Sequence, residues 1–216
     1  MNASPERNEG SIVLGLQVWN FKSILPADAE SETYRAIYDF YGYLGDWKNI
    51  PRPDSTDLNV DLLVSAHHGS STLGSNDGKW IYMTNPKTVV FSAGPHNGYV
   101  HPRCDTVDDY DKNSEWRTEN EDIEKSCDPL KPACATFFGN RARYLSRILP
   151  SPAHTLTCGK ANKSWNPESY SSALLSTRDA GTIQVSVDPF GNPSYFCPSS
   201  RVTIPADQSC FHPKTY

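Results

Sequence analysis

Three apolar, strand-like segments each run directly into residues that can bind a metal or move a proton. Phe21–Leu25 leads to Asp28, 59–66 leads to His67 and His68, and 87–92 leads to a loop holding His96, Asn97 and His101. In α/β architectures ligands gather outside the carboxyl ends of strands, so this order predicts a site built where neighbouring strands finish.

The segments between them supply the rest of such an architecture. Residues 11–18 read as a strand that turns through Trp19-Asn20 into the next, a hairpin. From Ala29 to Tyr41, Tyr34, Ile37, Tyr38 and Tyr41 recur at helical spacing, with Glu30 and Glu32 in the first turn and Gly42 and Gly45 able to end the helix. Residues 46–58 and 69–78 read as loops, and 79–83 as a short helix. The alternation of strand and helix predicts an α/β fold with the strands in one sheet. Beyond Cys104 the pattern loosens. A helix is expected at 140–149 and a late strand at 181–187, which turns through 188–193 to pair with 194–197 as an edge hairpin. The chain divides into one domain, 1–216, with a core over 9–103, a cysteine-rich insertion over 104–170, and terminal strands and tail over 171–216.

Each candidate has an ordinary structural role to set beside the chemical one. Asp28 stands where a helix begins, and Asp is a preferred N-cap. Neighbouring side chains in extended backbone point to opposite faces, so only one of His67 and His68 is expected to enter a given site. Gly69 lets the chain turn sharply after them. Asn97 and His101 taken singly are common loop residues.

Composition narrows the partners. A net charge of −5 provides no basic footprint for gripping a nucleic-acid backbone, although a phosphodiester held at a metal would not need one. The longest apolar runs are too short to span a bilayer, so no membrane segment is expected. The first ten residues lack the apolar stretch of a signal peptide. All six cysteines (104, 127, 134, 158, 197 and 210) follow residue 100 without a CxxC pair. Their even number in loop-rich sequence points to disulfides in an extracellular or periplasmic setting, with six cytosolic thiols as the alternative. Asn162-Lys-Ser is a glycosylation triplet of a kind that also occurs by chance.

Taken together, the run Asp28-Ala-Glu, then His67-His-Gly-Ser, then Gly94-Pro-His-Asn97 through His101-Pro resembles the second half of the metallo-β-lactamase superfamily. It is most similar to the soluble hydrolase domain of ComEC/Rec2-type competence proteins. The segment Thr177-Arg-Asp-Ala-Gly-Thr-Ile-Gln-Val resembles the last strand of that domain, while the cysteine-rich middle has no counterpart. The resemblance implies the C-terminal half of an αββα sandwich carrying a cysteine-rich loop insertion. It implies two zinc ions in a complete site, with Asp28 as the bridging carboxylate. His67 matches the late histidine ligand, and His68 is the less favoured choice. Asn97 and His101 match the neighbouring loop, in substrate contact or proton transfer. Phosphodiesters are the implied substrate class, with lactams and esters open.

Two departures qualify the resemblance. Ala27 stands where the family commonly has Gly, and the His-x-His-x-Asp-His motif that should lie upstream of Asp28 is absent, since no histidine precedes that residue. One carboxylate and one or two imidazoles cannot hold a dinuclear centre, so at most weak metal binding and negligible hydrolysis are expected. The leading expectation is a truncated metal-dependent hydrolase. The alternatives are a non-catalytic, disulfide-stabilised interaction domain and half of a two-chain hydrolase completed by association with another chain.

Overall fold

A computed structural model of the chain describes residues 8–42, 58–95, 98–112, 148–197 and 210. Its centre is a five-stranded sheet in the order β1-β2-β3-β4-β7, formed by β1 (Leu14–Val18), β2 (Phe21–Leu25), β3 (Leu62–Val64), β4 (Thr88–Phe91) and β7 (Leu174–Ser176). β1 and β2 form the expected antiparallel hairpin, and β2, β3, β4 and β7 run parallel.

The period-two alternation of strands decides what covers each face. Ile24, Leu63, Val89, Phe91 and Leu174 face one side and pack with Tyr34 and Tyr38 of α1 (Ser31–Phe40), Trp80 and Ile81 of α2 (Gly78–Thr84), and Val107 and Tyr110 of α3 (Cys104–Lys112). Tyr34 and Trp80, both fully buried, stack at 4.0 Å between ring centroids. On the other face Phe21, Leu62, Val90 and Leu175 meet Ile183, Val185, Val187 and Tyr195. Three of those four come from the antiparallel hairpin of β8 (Gln184–Val187) and β9 (Pro193–Phe196), which forms with the pairing expected from sequence. Asp61 fixes the strand starts in register. Its carboxylate accepts from Lys22 N at 2.8 Å and pairs with Lys87 Nζ at 2.6 Å.

Several elements differ from expectation. Helix α1 begins at Ser31, and its N-cap is Glu30 without a side-chain cap bond, so Asp28 does not cap it. β3 ends at Val64 because residues 66–69 coil into a 3-10 turn. A long hairpin of β5 (Pro150–Gly159) and β6 (Trp165–Ser172) and the strand β7 at the far edge of the main sheet are additions. Prolines 150 and 152 argue against strand in the sequence, yet they occur in a two-stranded ribbon, where a missing N–H is tolerated. Residues 177–180 form a single helical turn, α4 (Thr177–Ala180), so the strand resembling the family's last one starts only at Gln184 and stands outside the main sheet. The expected 140–149 helix and 46–58 loop fall almost wholly outside the described residues.

Two disulfides are formed, Cys104–Cys158 and Cys197–Cys210; Cys127 and Cys134 lie outside the described residues. Among the described residues no helix is long and apolar enough to cross a membrane.

Candidate functional site

The carboxyl ends of β2, β3 and β4 enclose a pocket of about 380 Å³ lined by Asp28, His67, His68, Ser92, Ala93, Gly94, Tyr99 and His101. Four of the five sequence candidates therefore meet in one place; Asn97 lies outside the described residues.

Asp28 is delivered by a tight turn. Ala29 N donates to Pro26 O at 3.1 Å, and Ala27, the first central residue, has φ +51°. That left-handed conformation favours glycine, the residue the resemblance expects there. Ala27 O then accepts from His67 N at 2.9 Å, which ties this turn to the next strand end.

At that end the extended-strand expectation is overturned. His67 (φ 47°, ψ 45°) and His68 (φ 57°, ψ 18°) are both left-handed, so their side chains do not alternate across a sheet and both reach the pocket. Two consecutive non-glycine residues in this region carry strain, which the surrounding contacts must hold in place. Buried Asn76 supplies much of that hold. Its Nδ2 donates to Ala66 O at 2.9 Å and Ser70 O at 2.8 Å, and its Oδ1 accepts from Ser65 Oγ and Tyr110 Oη, each at 2.9 Å. Nothing in the sequence marks this role beyond the place of Asn76 in the Gly- and Ser-rich loop over 69–78.

The imidazoles have distinct partners. His68 Nδ1 lies 2.6 Å from Ser92 O. A carbonyl only accepts, so Nδ1 carries the proton and Nε2 is the nitrogen offered to the pocket. His68 Nε2 faces Asp28 Oδ1 at 3.5 Å, with both side chains about half exposed. Asp28 is thus paired with His68, the residue less favoured from sequence. His67 Nδ1 instead lies 3.7 Å from Oε1 of buried Glu30 and has no hydrogen-bond partner. From sequence Glu30 stands as a helix-dipole residue and as the end of the Asp28-Ala-Glu run; that place two positions after Asp28 is the signal for its nearness to His67.

His101 comes from the loop after β4, its ring centroid 5.9 Å from that of His67 and 6.1 Å from the nearly parallel ring of Tyr99. Burial, then the neighbouring His67 and His68, hold its pKa down at about 4, so its imidazole is neutral at physiological pH. Its buried Nδ1 has no hydrogen-bond partner. Arg103 N donates to Gly69 O at 2.9 Å, Gly159 N donates to Pro102 O at 2.8 Å, and Cys104 is disulfide-bonded to Cys158, so this loop is tied both to the histidine turn and to β5. Thr177 Oγ1 accepts from Ala93 N at 2.9 Å and donates to Ala93 O at 2.8 Å, adding the end of β7 to the wall.

The donor set can be tested against zinc. Ligand atoms about 2.0–2.2 Å from a tetrahedral ion lie roughly 3.3–3.6 Å apart, and the Asp28–His68 separation of 3.5 Å fits one such edge. No third ligand atom joins them: the group of three with ligand atoms within 4.8 Å of one another, among the described residues, is Cys104, Cys158 and Glu168. Those cysteines are bonded to each other and offer no thiolate.

Among curated proteins, the chain is similar to ComE operon protein 3 of Bacillus subtilis (strain 168), 29% identical over 96 residues, which is 44% of this chain and 10% of that protein. The chain thus spans about a tenth of the length of the curated relative it matches. This supports the relation to a competence protein read from the motifs. No protein-family model matches the chain, and no solved structure matches it.

Proposed function

We propose that the pocket is part of a metal-dependent hydrolase site of the metallo-β-lactamase type, with phosphodiesters as the substrate class. The observation that carries this reading is Asp28 Oδ1 facing His68 Nε2 at 3.5 Å across the ends of two parallel strands. The similarity to ComE operon protein 3 supports it, as does a main sheet with helices packed on one face and the β8–β9 hairpin on the other.

In this reading Asp28 and His68 would hold Zn²⁺. When bound, the ion supplies Lewis-acid polarisation of a phosphoryl oxygen and acidifies water. The Nδ1–H bond to Ser92 O fixes the His68 ring and its tautomer, a usual support for a ligating imidazole. Neutral His101 is placed to accept a proton or donate a hydrogen bond at the pocket wall. Glu30 Oε1 lies 3.7 Å from His67 Nδ1, within ion-pair reach of that ring when it is protonated. With no His-x-His-x-Asp-His in the sequence, these residues bind metal weakly and do not complete a dinuclear centre.

The assay is hydrolysis of bis(p-nitrophenyl) phosphate by the purified chain with Zn²⁺ or Mn²⁺. Turnover at the level of metal and buffer alone is expected, and robust turnover abolished by Asp28→Ala would overturn the claim of an incomplete site. The two disulfides favour a second reading, a secreted, disulfide-stabilised interaction domain without catalysis. That reading predicts no zinc binding at Asp28 and His68.

A further inference from the structure

Strand β1 is one of the two edge strands of the main sheet, and among the described residues nothing pairs with its outer edge. Edge strands are ordinarily protected by charge, proline or a bulge. β1 has none of these. Residues 11–20, Ser-Ile-Val-Leu-Gly-Leu-Gln-Val-Trp-Asn, contain no charged residue and no proline, and the β1–β2 register is unbroken. Leu14, Leu16 and Val18 are 53%, 52% and 44% exposed, and Ile12 and Trp19 beside them more so.

The direction of the free amides follows from the hairpin. In a two-residue hairpin the pair flanking the turn is hydrogen-bonded and the pairs then alternate. Val18/Phe21, Leu16/Ser23 and Leu14/Leu25 are therefore the bonded pairs. The N–H and C=O groups of Gly15 and Gln17 point outward. The partner of Gln17 agrees, since Lys22 exchanges both of its backbone bonds with Asp61 on the β3 side.

We propose that a second copy of this chain adds its own β1 antiparallel to this edge, joining two five-stranded sheets into one across a two-fold axis centred on Leu16. The strand is self-complementary in that register. Leu16 meets Leu16, Leu14 meets Val18 on the same face, and Gly15 and Gln17 form reciprocal bonded pairs, using only groups that already point outward. Space around Gly15 is open, with nothing within 4 Å of where a Cβ would stand. Pairing five residues of each strand makes an interface smaller than the roughly 1,200–2,000 Å² of a standard stable complex, which makes the dimer weak and concentration-dependent. The surface is separate from the Asp28 pocket and does not depend on the function proposed for it.

Sedimentation equilibrium of the full chain over about 5–200 µM, the range suited to a micromolar dimer, tests the proposal. A twofold rise in mass with concentration is expected. Gln17→Pro removes an outward N–H, which an edge strand tolerates, together with the exposed Gln17 Nε2 bond to Trp19 O, and is expected to leave a folded monomer by circular dichroism. Leu16→Lys, which sets two like charges opposite each other across the axis, is expected to do the same and serves if the proline variant fails to fold. A strict monomer throughout the range would overturn the proposal. So would open-ended association, or a dimer that persists in a folded Gln17→Pro or Leu16→Lys variant.

Discussion

Gly69 sits against Pro102 with no room for a side chain: a Cβ there would come within 2.7 Å of Pro102 Cβ and 2.8 Å of Phe91 Cδ1. This close approach brings the His67-His68 turn against the loop carrying His101, and Gly69 also has φ +85°. Gly69→Ala meets both a steric and a conformational penalty. A loss of about 2–4 kcal/mol in denaturant unfolding is expected from overpacking and left-handed backbone together. A loss below about 0.5 kcal/mol, the range of neutral surface changes, would show that the two loops do not depend on this contact.

Asn76 holds the strained histidine turn with two donated and two accepted hydrogen bonds. Asn76→Asp keeps the acceptor but removes both donors, and it turns the group's charge toward the Ala66 and Ser70 carbonyls. We expect it to cost about 2–4 kcal/mol, since buried acceptors lose their partners. The histidine ring resonances in NMR spectra should shift as well. Unchanged histidine resonances in a folded variant would mean that the turn is held by other contacts.

Ala27 has the backbone of a residue that would prefer to be glycine. Relief of left-handed strain is partly offset by the greater freedom of glycine in the unfolded chain. Ala27→Gly is therefore expected to stabilise by about 0.5–1 kcal/mol in thermal or denaturant unfolding. A clear loss of stability would indicate that the Ala27 methyl group contributes packing that outweighs its conformational cost.

His101 provides a pH signature for the metal-free protein. Its folded-state pKa of about 4 lies below the ordinary value of 6.5, so the folded state disfavours the proton. Its contribution to stability is fully present above pH 6.5 and is lost as pH falls from there toward 4, because the unfolded chain takes up the proton first. NMR titration of the imidazole should give a midpoint well below 6.5. His101→Gln should flatten the acid limb of the stability profile. A midpoint at or above the ordinary value would contradict the buried placement of the ring.

Much of the architecture was legible in the sequence because it is written locally. Tyr34 and Tyr38 at helical spacing, the apolar runs of β2 and β4, and the β8–β9 hairpin all follow from short-range pattern. Strand ends also pointed to Asp28, one of His67 and His68, and His101 as neighbours. What escaped depends on backbone conformation or on contacts distant in sequence. The left-handed pair at His67 and His68 replaced the alternation an extended strand would impose. The grip of Asn76 joins residues from Ser65 to Tyr110, and the reach of Glu30 toward His67 spans two strand ends. β7 is too short to announce itself, and its place beside β4 is set by the sheet.

The proposed site depends on Asp28 and His68 holding a zinc ion together. Isothermal titration of the chain with Zn²⁺, beside Asp28→Asn and His68→Gln, tests it most directly. Weak binding at one site is expected, reduced about 10-fold or more by either substitution, the scale on which loss of even a supporting group acts at a metal site. Absence of binding, or an affinity unchanged in both variants, would contradict it.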